Sequence, residues 1–232
     1  MSADRSLKSE TIPPPKSAAS APKVVTTASA TPGPRRYRLA ALIALVGRVD
    51  PSHVERFTML VPAQELAGRQ DFLARQSLRG RQGEREIHGE GVVQKQGATL
   101  TLIGMTAFGS KAFVIQQDAA GVRSQEFLPG SLPFPAEFML LDVHRALFIG
   151  LSQGTGDGER RGEREGEAIT ETWRAGKLLR RSFRRLDRRA RGTIDIEYVD
   201  GMAGERPPAR IVVVNGWFGY TVEIATVSWQ AI

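Results

Sequence analysis

The chain has 232 residues, of which 41% are hydrophobic, enough to bury a real core as one sizeable domain or two small ones. A formal net charge of +7 points to anionic partners without choosing among nucleic acid, acidic lipid and acidic protein. The absence of cysteine excludes disulfides, thiol catalysis, cysteine-based zinc sites and lipid attachment to an N-terminal cysteine.

Residues 1–34 are rich in Ser, Ala, Thr, Pro and Lys and cannot bury enough apolar surface to offset chain entropy, so they read as a disordered tail. Residues 35–66 form an N-terminal helical segment. Its apolar run, Leu39–Gly47, has nine residues, against the about 20 needed to cross a bilayer. With "RRYR" in front it has the look of a signal peptide's first two regions, but it starts late and no small-x-small cleavage site follows. The favoured reading is a helix, Tyr37–Val46, followed by a second short helix, Ser52–Leu60, with Asp50 as N-cap and Pro51 at its first turn.

From residue 67 to 232 the chain reads as one β domain. The runs "FLARQSLRG", "EREIHGEGVVQKQ", "ATLTLIG", "KAFVIQQ" and "VRSQEFL" alternate with period two and are separated by turns at Arg81–Glu84, Gly97, Gly104–Ser110 and Ala119–Gly121. Pro133 and Pro135 open a helix from Ala136 to Ile149 that Gly150 closes, with Leu140, Val143 and Leu147 on one face. "SQGTGDGERRGEREGE" reads as a solvated loop. Strands resume with "AITETWR", "KLLRRSF", "GTIDIEYV", "ARIVVV" and "FGYTVEIATVSWQ". The expected fold is mainly β: a half-open antiparallel barrel of about ten strands, with a mid-chain helix as plug and N-terminal helices.

"GMTAFGSK" nearly spells a phosphate-binding loop, but Ser110 and Lys111 are transposed and "KAFVIQQ" alternates as a strand where a helix is needed. It reads better as a hairpin loop turned by Gly104 and Gly109, with Phe108 at the tip. An apolar ring there either folds back onto its own sheet or is buried by a bilayer or partner.

No catalytic or metal constellation is legible, and no cofactor is expected. His53, His88 and His144 lie on different elements without the spacing of a zinc site, and each reads as structural or exposed. Asp195 and Glu197 alternate with Ile194 and Ile196, which describes the wet face of a strand. There is no Gly-x-Ser-x-Gly nucleophile turn, and "GTGDG" is linker.

The heaviest charge feature is Leu178–Arg191, with seven arginines and the single acid Asp187. As a helix it would share one apolar face; as two strands turning near Leu186–Arg189 its arginines would line an edge. Arg180, Arg181, Arg184, Arg185, Arg188 and Arg189 are the candidate anion-binding residues. Edge protection ranks first, an anionic membrane surface second and nucleic acid third, because only Phe183 stands among them as a stacking aromatic.

"LRGRQGEREIHGEGVVQKQGATLTLIGMTAFGSKAFVIQQ", "LPFPAEFMLLDVHRALFIG" and "PPARIVVVNGWFGYTVEIATVSWQ" together resemble, in order and spacing, LolB and the uncharacterised LolB-like outer-membrane lipoproteins of the LolA/LolB superfamily. The similarity runs from about Leu73 to Gln230. It implies a half-open barrel wrapped on helices, an apolar cavity for acyl chains of lipid or lipoprotein, and no enzymatic step. It also implies a place in the bacterial cell envelope, on the periplasmic side of the outer membrane, and a protruding apolar loop residue that engages the membrane, which by position is Phe108. The lipobox cysteine of that family is missing, so the tail and the "RRYRLAALIALVG" helix must substitute or the true start lies elsewhere. The alternating positions expected to line the cavity are Leu100, Leu102, Phe113, Ile115, Ile211, Val213, Val222 and Ile224, with Leu140, Val143 and Leu147 from the helix. The competing reading is a basic module for nucleic acid or protein built on the 178–191 arginines. The sequence does not fix the oligomeric state or the ligand.

Overall fold

The computed structural model describes residues 60–130, 136–151, 156–187 and 191–232. The expected tail, both N-terminal helices, His53, Pro133, Pro135, Arg188 and Arg189 lie outside these residues.

A short helix, α1 (Ala63–Ala67), leads into five antiparallel strands: β1 (Phe72–Gln82), β2 (Arg85–Gln96), β3 (Thr99–Met105), β4 (Lys111–Asp118) and β5 (Gly121–Glu126). Helix α2 (Ala136–Leu147) interrupts them. Six more strands follow: β6 (Gly158–Arg164), β7 (Glu167–Arg174), β8 (Lys177–Arg185), β9 (Ile194–Met202), β10 (Arg210–Asn215) and β11 (Tyr220–Ala231). They form one sheet in the order β5-β4-β3-β2-β1-β11-β10-β9-β8-β7-β6. Two meanders are thus zipped together along β1 and β11, from Phe72 opposite Ala231 to Gln82 opposite Tyr220. The sheet is open: β5 and β6 end it and do not pair with each other. The mainly β, half-open antiparallel reading therefore holds.

Helix α2 bonds to strands of both meanders. His144 reaches Gln117 on β4 at 2.7 Å, Arg145 reaches Glu167 on β7 at 2.7 Å, and Tyr198 on β9 donates to the Ala146 carbonyl at 2.8 Å. Leu140, His144 and Arg145 are accordingly buried, while Met139, Asp142, Val143 and Leu147 are half-buried. It ends at Leu147, two residues earlier than its apolar run suggests, where Phe148 and Ile149 both donate back to the His144 carbonyl.

Two sequence expectations need correction. The segment taken as a solvated loop contains β6, whose Arg160, Gly162 and Arg164 are half-buried while Glu159, Arg161 and Glu163 are exposed. Its residues are charged because it is an edge strand, where charge blocks further pairing and little apolar surface is needed. Glu165 and Gly166, with φ of 51° and 77°, make its hairpin turn into β7. Gly104 is not a turn residue either. It lies in β3 beneath the Phe113 ring, where a Cβ would sit 2.2 Å from a ring carbon. The turn is made by Thr106–Ser110, closed by Thr106 donating to the Ser110 carbonyl at 2.8 Å, with Gly109 at φ 78°.

Candidate functional site: an apolar cavity beside an exposed aromatic tip

The interior is divided. Under β7, β8 and β9 it is solid: Ile169, Leu178, Phe183, Ile194 and Ile196 pack there with 1% or less of their surface accessible. Among them is a buried polar network. Arg181 donates to Glu171 at 2.8 Å, to the Arg145 carbonyl at 2.8 Å and to the Tyr198 hydroxyl at 3.1 Å. Glu171 also accepts from the Trp173 indole at 2.9 Å and from the Leu151 amide at 3.1 Å. Arg145 lies over the Trp217 ring, 4.9 Å from its centroid. Burial pushes the Tyr198 hydroxyl up to about 12, so it stays protonated and able to donate to Ala146.

Under the first meander the interior is hollow. A cavity of about 290 Å³ lies between β1–β4, β10, β11 and α2. Its apolar wall includes Leu78, Val93, Leu102, Phe113, Met139, Val143, Val213, Val222 and Ile224. The hollow exists because inward positions there lack side chains. Gly89 and Gly91 share the face of Val93, and a Cβ added at Gly89 meets no atom within 4 Å. Of the residues expected to line it, Leu102, Phe113, Val143, Val213, Val222 and Ile224 do so. Leu100, Ile115, Leu140 and Ile211 are instead sealed in the packed core, and Leu147 packs against that core partly buried. They share the inward face but sit where the neighbouring strands carry large side chains.

Two polar features of the wall were not anticipated. Asp142, on the cavity face of α2, keeps 21% of its side chain accessible, accepts from the Tyr220 hydroxyl and lies 3.8 Å from the Arg145 guanidinium. Burial pushes its carboxyl up, against the lowering effects of Arg145, Tyr220 and Asn215. Tyr220 is raised well above its usual value by burial and by the charge of Asp142, and Asn215 donates to it at 2.9 Å. Gln76 is the second feature. It points inward from β1, is 6% exposed, and makes no side-chain hydrogen bond with any described residue. A glutamine between Arg75 and Ser77 gives no sequence signal of this; only the alternation Phe72, Ala74, Gln76 marks its face.

Phe108 stands at the tip of the β3–β4 hairpin, 96% exposed. The same hairpin supplies Gly104, Met105, Ala112 and Phe113 to the cavity wall, so the tip extends from the cavity's rim. Phe127 and Leu128, both about half exposed, are held at its base by their backbone N–H groups, which donate to the Ala112 carbonyl at 2.8 and 3.1 Å. Three apolar side chains thus face water at one rim.

Strand alternation divides the arginine cluster. Arg181 and Arg185 turn inward, to Glu171 and to Asp187 at 2.6 Å, while Arg180 and Arg184 turn outward and Arg180 pairs with Asp195 at 2.8 Å. The arrangement does not present the contiguous basic edge expected from the sequence, because β8 is a single central strand between β7 and β9. His88 is exposed beside Glu86, and His144 is buried against Gln117. No group of three potential metal ligands occurs among the described residues. None of the helices among them is long and apolar enough to cross a membrane.

Solved structures of similar form include a LolA superfamily protein from Nitrosomonas europaea, at 14% identity and TM-score 0.38, with 74% of this chain and 94% of that one covered. A putative outer membrane lipoprotein-sorting protein domain from Vibrio parahaemolyticus is similar at 9% identity and TM-score 0.39, with 77% and 89% covered. A DUF1329 family protein from Desulfovibrio piger is similar at 12% identity and TM-score 0.33, with 84% and 93% covered. No curated protein matches the chain. Residues 73–228 match the family model described as "Protein of unknown function (DUF3261)", and the chain belongs to that family.

Proposed function

We propose that this is a binding protein of the bacterial cell envelope that holds an acyl chain of a lipid or lipoprotein in the cavity under the first meander. Phe108 is its membrane contact. The observation that carries the reading is the junction of the two features: the hairpin that walls the hollow also projects an aromatic ring into water. An exposed Phe is worth about 1.5–3 kcal/mol when buried, so a bilayer or lipid interface at this rim is its natural environment. A chain leaving that interface would enter the cavity beside the same hairpin.

The work needs no chemical step. Each methylene moved from water into the hollow contributes about 0.8 kcal/mol, so a medium-length chain is held by desolvation alone. At about 290 Å³ the cavity is at the small end of ligand sites, which span about 300–1,000 Å³, and suits a single chain.

Native mass spectrometry of the protein expressed in bacteria tests this directly, together with titration of a fluorescent fatty acid. Co-purified lipid and saturable, competable binding are expected. Recovery without lipid, combined with no fatty-acid binding, would remove the proposal.

A further inference from the structure

We propose that the cavity recognises the carbonyl group of a neutral acyl ester or amide through Gln76, so that its ligand enters deeply enough to bring the head of the acyl chain, and not only its methyl end, inside the wall. This rests on the acyl-chain reading above and narrows it to a ligand class.

Gln76 is 6% exposed, lines the cavity and has no side-chain partner among the described residues. A carboxamide carries two donors and an acceptor, and a buried one without partners is costly. Water can satisfy it while the hollow is empty. A hydrocarbon chain expels that water and offers nothing in return, so a wholly apolar ligand meets a penalty at this position. An acyl carbonyl accepts from Nε2 and removes it. Sites built to bond a ligand group discriminate strongly against analogues lacking it, because their own buried polar group is then left bare.

The neighbours of Gln76 make room for such a group. Across β2 its pair is Gly91, which has no side chain to cover the amide. On β11 its pair is Thr226, one residue before the bulge that leaves Val227 59% exposed. Asp142 on the facing helix then sets the charge. The Arg145 guanidinium beside it is also engaged by Glu167 at 2.7 Å, and the arginine of the cavity wall, Arg85, is exposed on β2. A carboxylate carried in beside Asp142 would meet repulsion; an ester or amide there would not.

Three ligands of matched chain length separate the possibilities by calorimetry below their micelle concentrations: monolauroylglycerol, its ether counterpart monododecylglycerol, and laurate. The wild-type protein is expected to bind the ester about tenfold more tightly than the ether, as one buried hydrogen bond allows, with laurate weakest. In Gln76→Leu the ester should fall to the level of the ether, whose own affinity holds or improves. Gln76→Met, closer in length, repeats the comparison if Leu disturbs the strand. Equal binding of ester and ether by the wild type overturns the carbonyl assignment, as does an equal loss of both in the variants, while the acyl-chain proposal stands. Binding of laurate alone overturns the carbonyl assignment and leaves the acyl-chain proposal standing; if none of the three binds, the acyl-chain proposal falls and takes this one with it.

Discussion

Arg181 and Glu171 form an ion pair at 2.8 Å from which water is almost wholly excluded, the two side chains keeping 6% and 0% of their surface. Glu171 is the hub, since Trp173 and Leu151 donate to it as well. Removing one member of a buried pair leaves the other charged and unpaired, at about 3–5 kcal/mol. Glu171→Leu is expected to lose stability of that order in urea denaturation. Arg181→Met combined with Glu171→Leu should lose clearly less than the sum of the single changes. Strict additivity would mean that the pair does not couple and that β8 is held by its neighbours alone.

That pair also shows where the sequence stops being legible. The order of strands, the mid-chain helix and the open antiparallel sheet follow from period-two alternation and turn residues, which are local. The arginine-rich segment looks like a surface feature because charge is normally solvated. Its partners Glu171, Tyr198 and the Arg145 carbonyl come from other elements and only the fold brings them together. β6 is hidden for the opposite reason, since an edge strand with charged residues has no hydrophobic alternation to betray it. The cavity falls between. Its inward-facing residues are visible by alternation, but whether each meets a side chain or a void depends on its neighbour across the sheet: Leu100 lies opposite Lys95, while Leu78 lies opposite Gly89.

Gly89 gives a test of the hollow that leaves the fold alone. A Cβ built there meets no atom within 4 Å, and its backbone is that of an ordinary strand residue. Gly89→Leu should therefore fill the cavity without a clash. Stability is expected to hold within about 1 kcal/mol, since a glycine in a strand is itself unfavourable. Fatty-acid binding, followed by fluorescence titration, should weaken at least tenfold, the equivalent of about 1.4 kcal/mol. Unchanged binding would place the ligand somewhere other than this cavity.

Phe108 separates membrane contact from stability. Because it is 96% exposed, Phe108→Asp should leave the unfolding midpoint in place, within the about 0.5 kcal/mol typical of surface changes. Co-sedimentation with phosphatidylglycerol-containing vesicles should fall about tenfold, given the burial value of a Phe side chain. Phe127→Ser with Leu128→Ser should produce a smaller loss at the same rim. If vesicle binding is indifferent to all three positions, the ring has a role other than insertion.

His144 predicts how stability responds to acid. It is completely buried between α2 and β4, and its Nε2 meets Gln117 Oε1 at 2.7 Å. The Gln117 amide group is committed to the Val61 carbonyl at 2.8 Å, so its oxygen accepts and His144 Nε2 must be the protonated nitrogen. Nδ1 is left bare, buried and without a partner. Adding a proton there would place a charge where no acceptor waits. Burial, with a smaller contribution from Arg164 and against the attraction of Glu65, accordingly lowers the imidazole to about 4 from 6.5. The unfolded chain takes up this proton near 6.5, the folded one only near 4. Between those values the unfolded state binds more protons, so the contribution is fully present above about pH 6.5 and is lost as pH falls toward 4, reaching about 3 kcal/mol. Urea denaturation at pH 7 and pH 5 should show the decline. His144→Gln, which can still donate to Gln117 but cannot titrate, should flatten it over this window; a variant that declines as steeply as the wild type would assign the acid sensitivity to other groups.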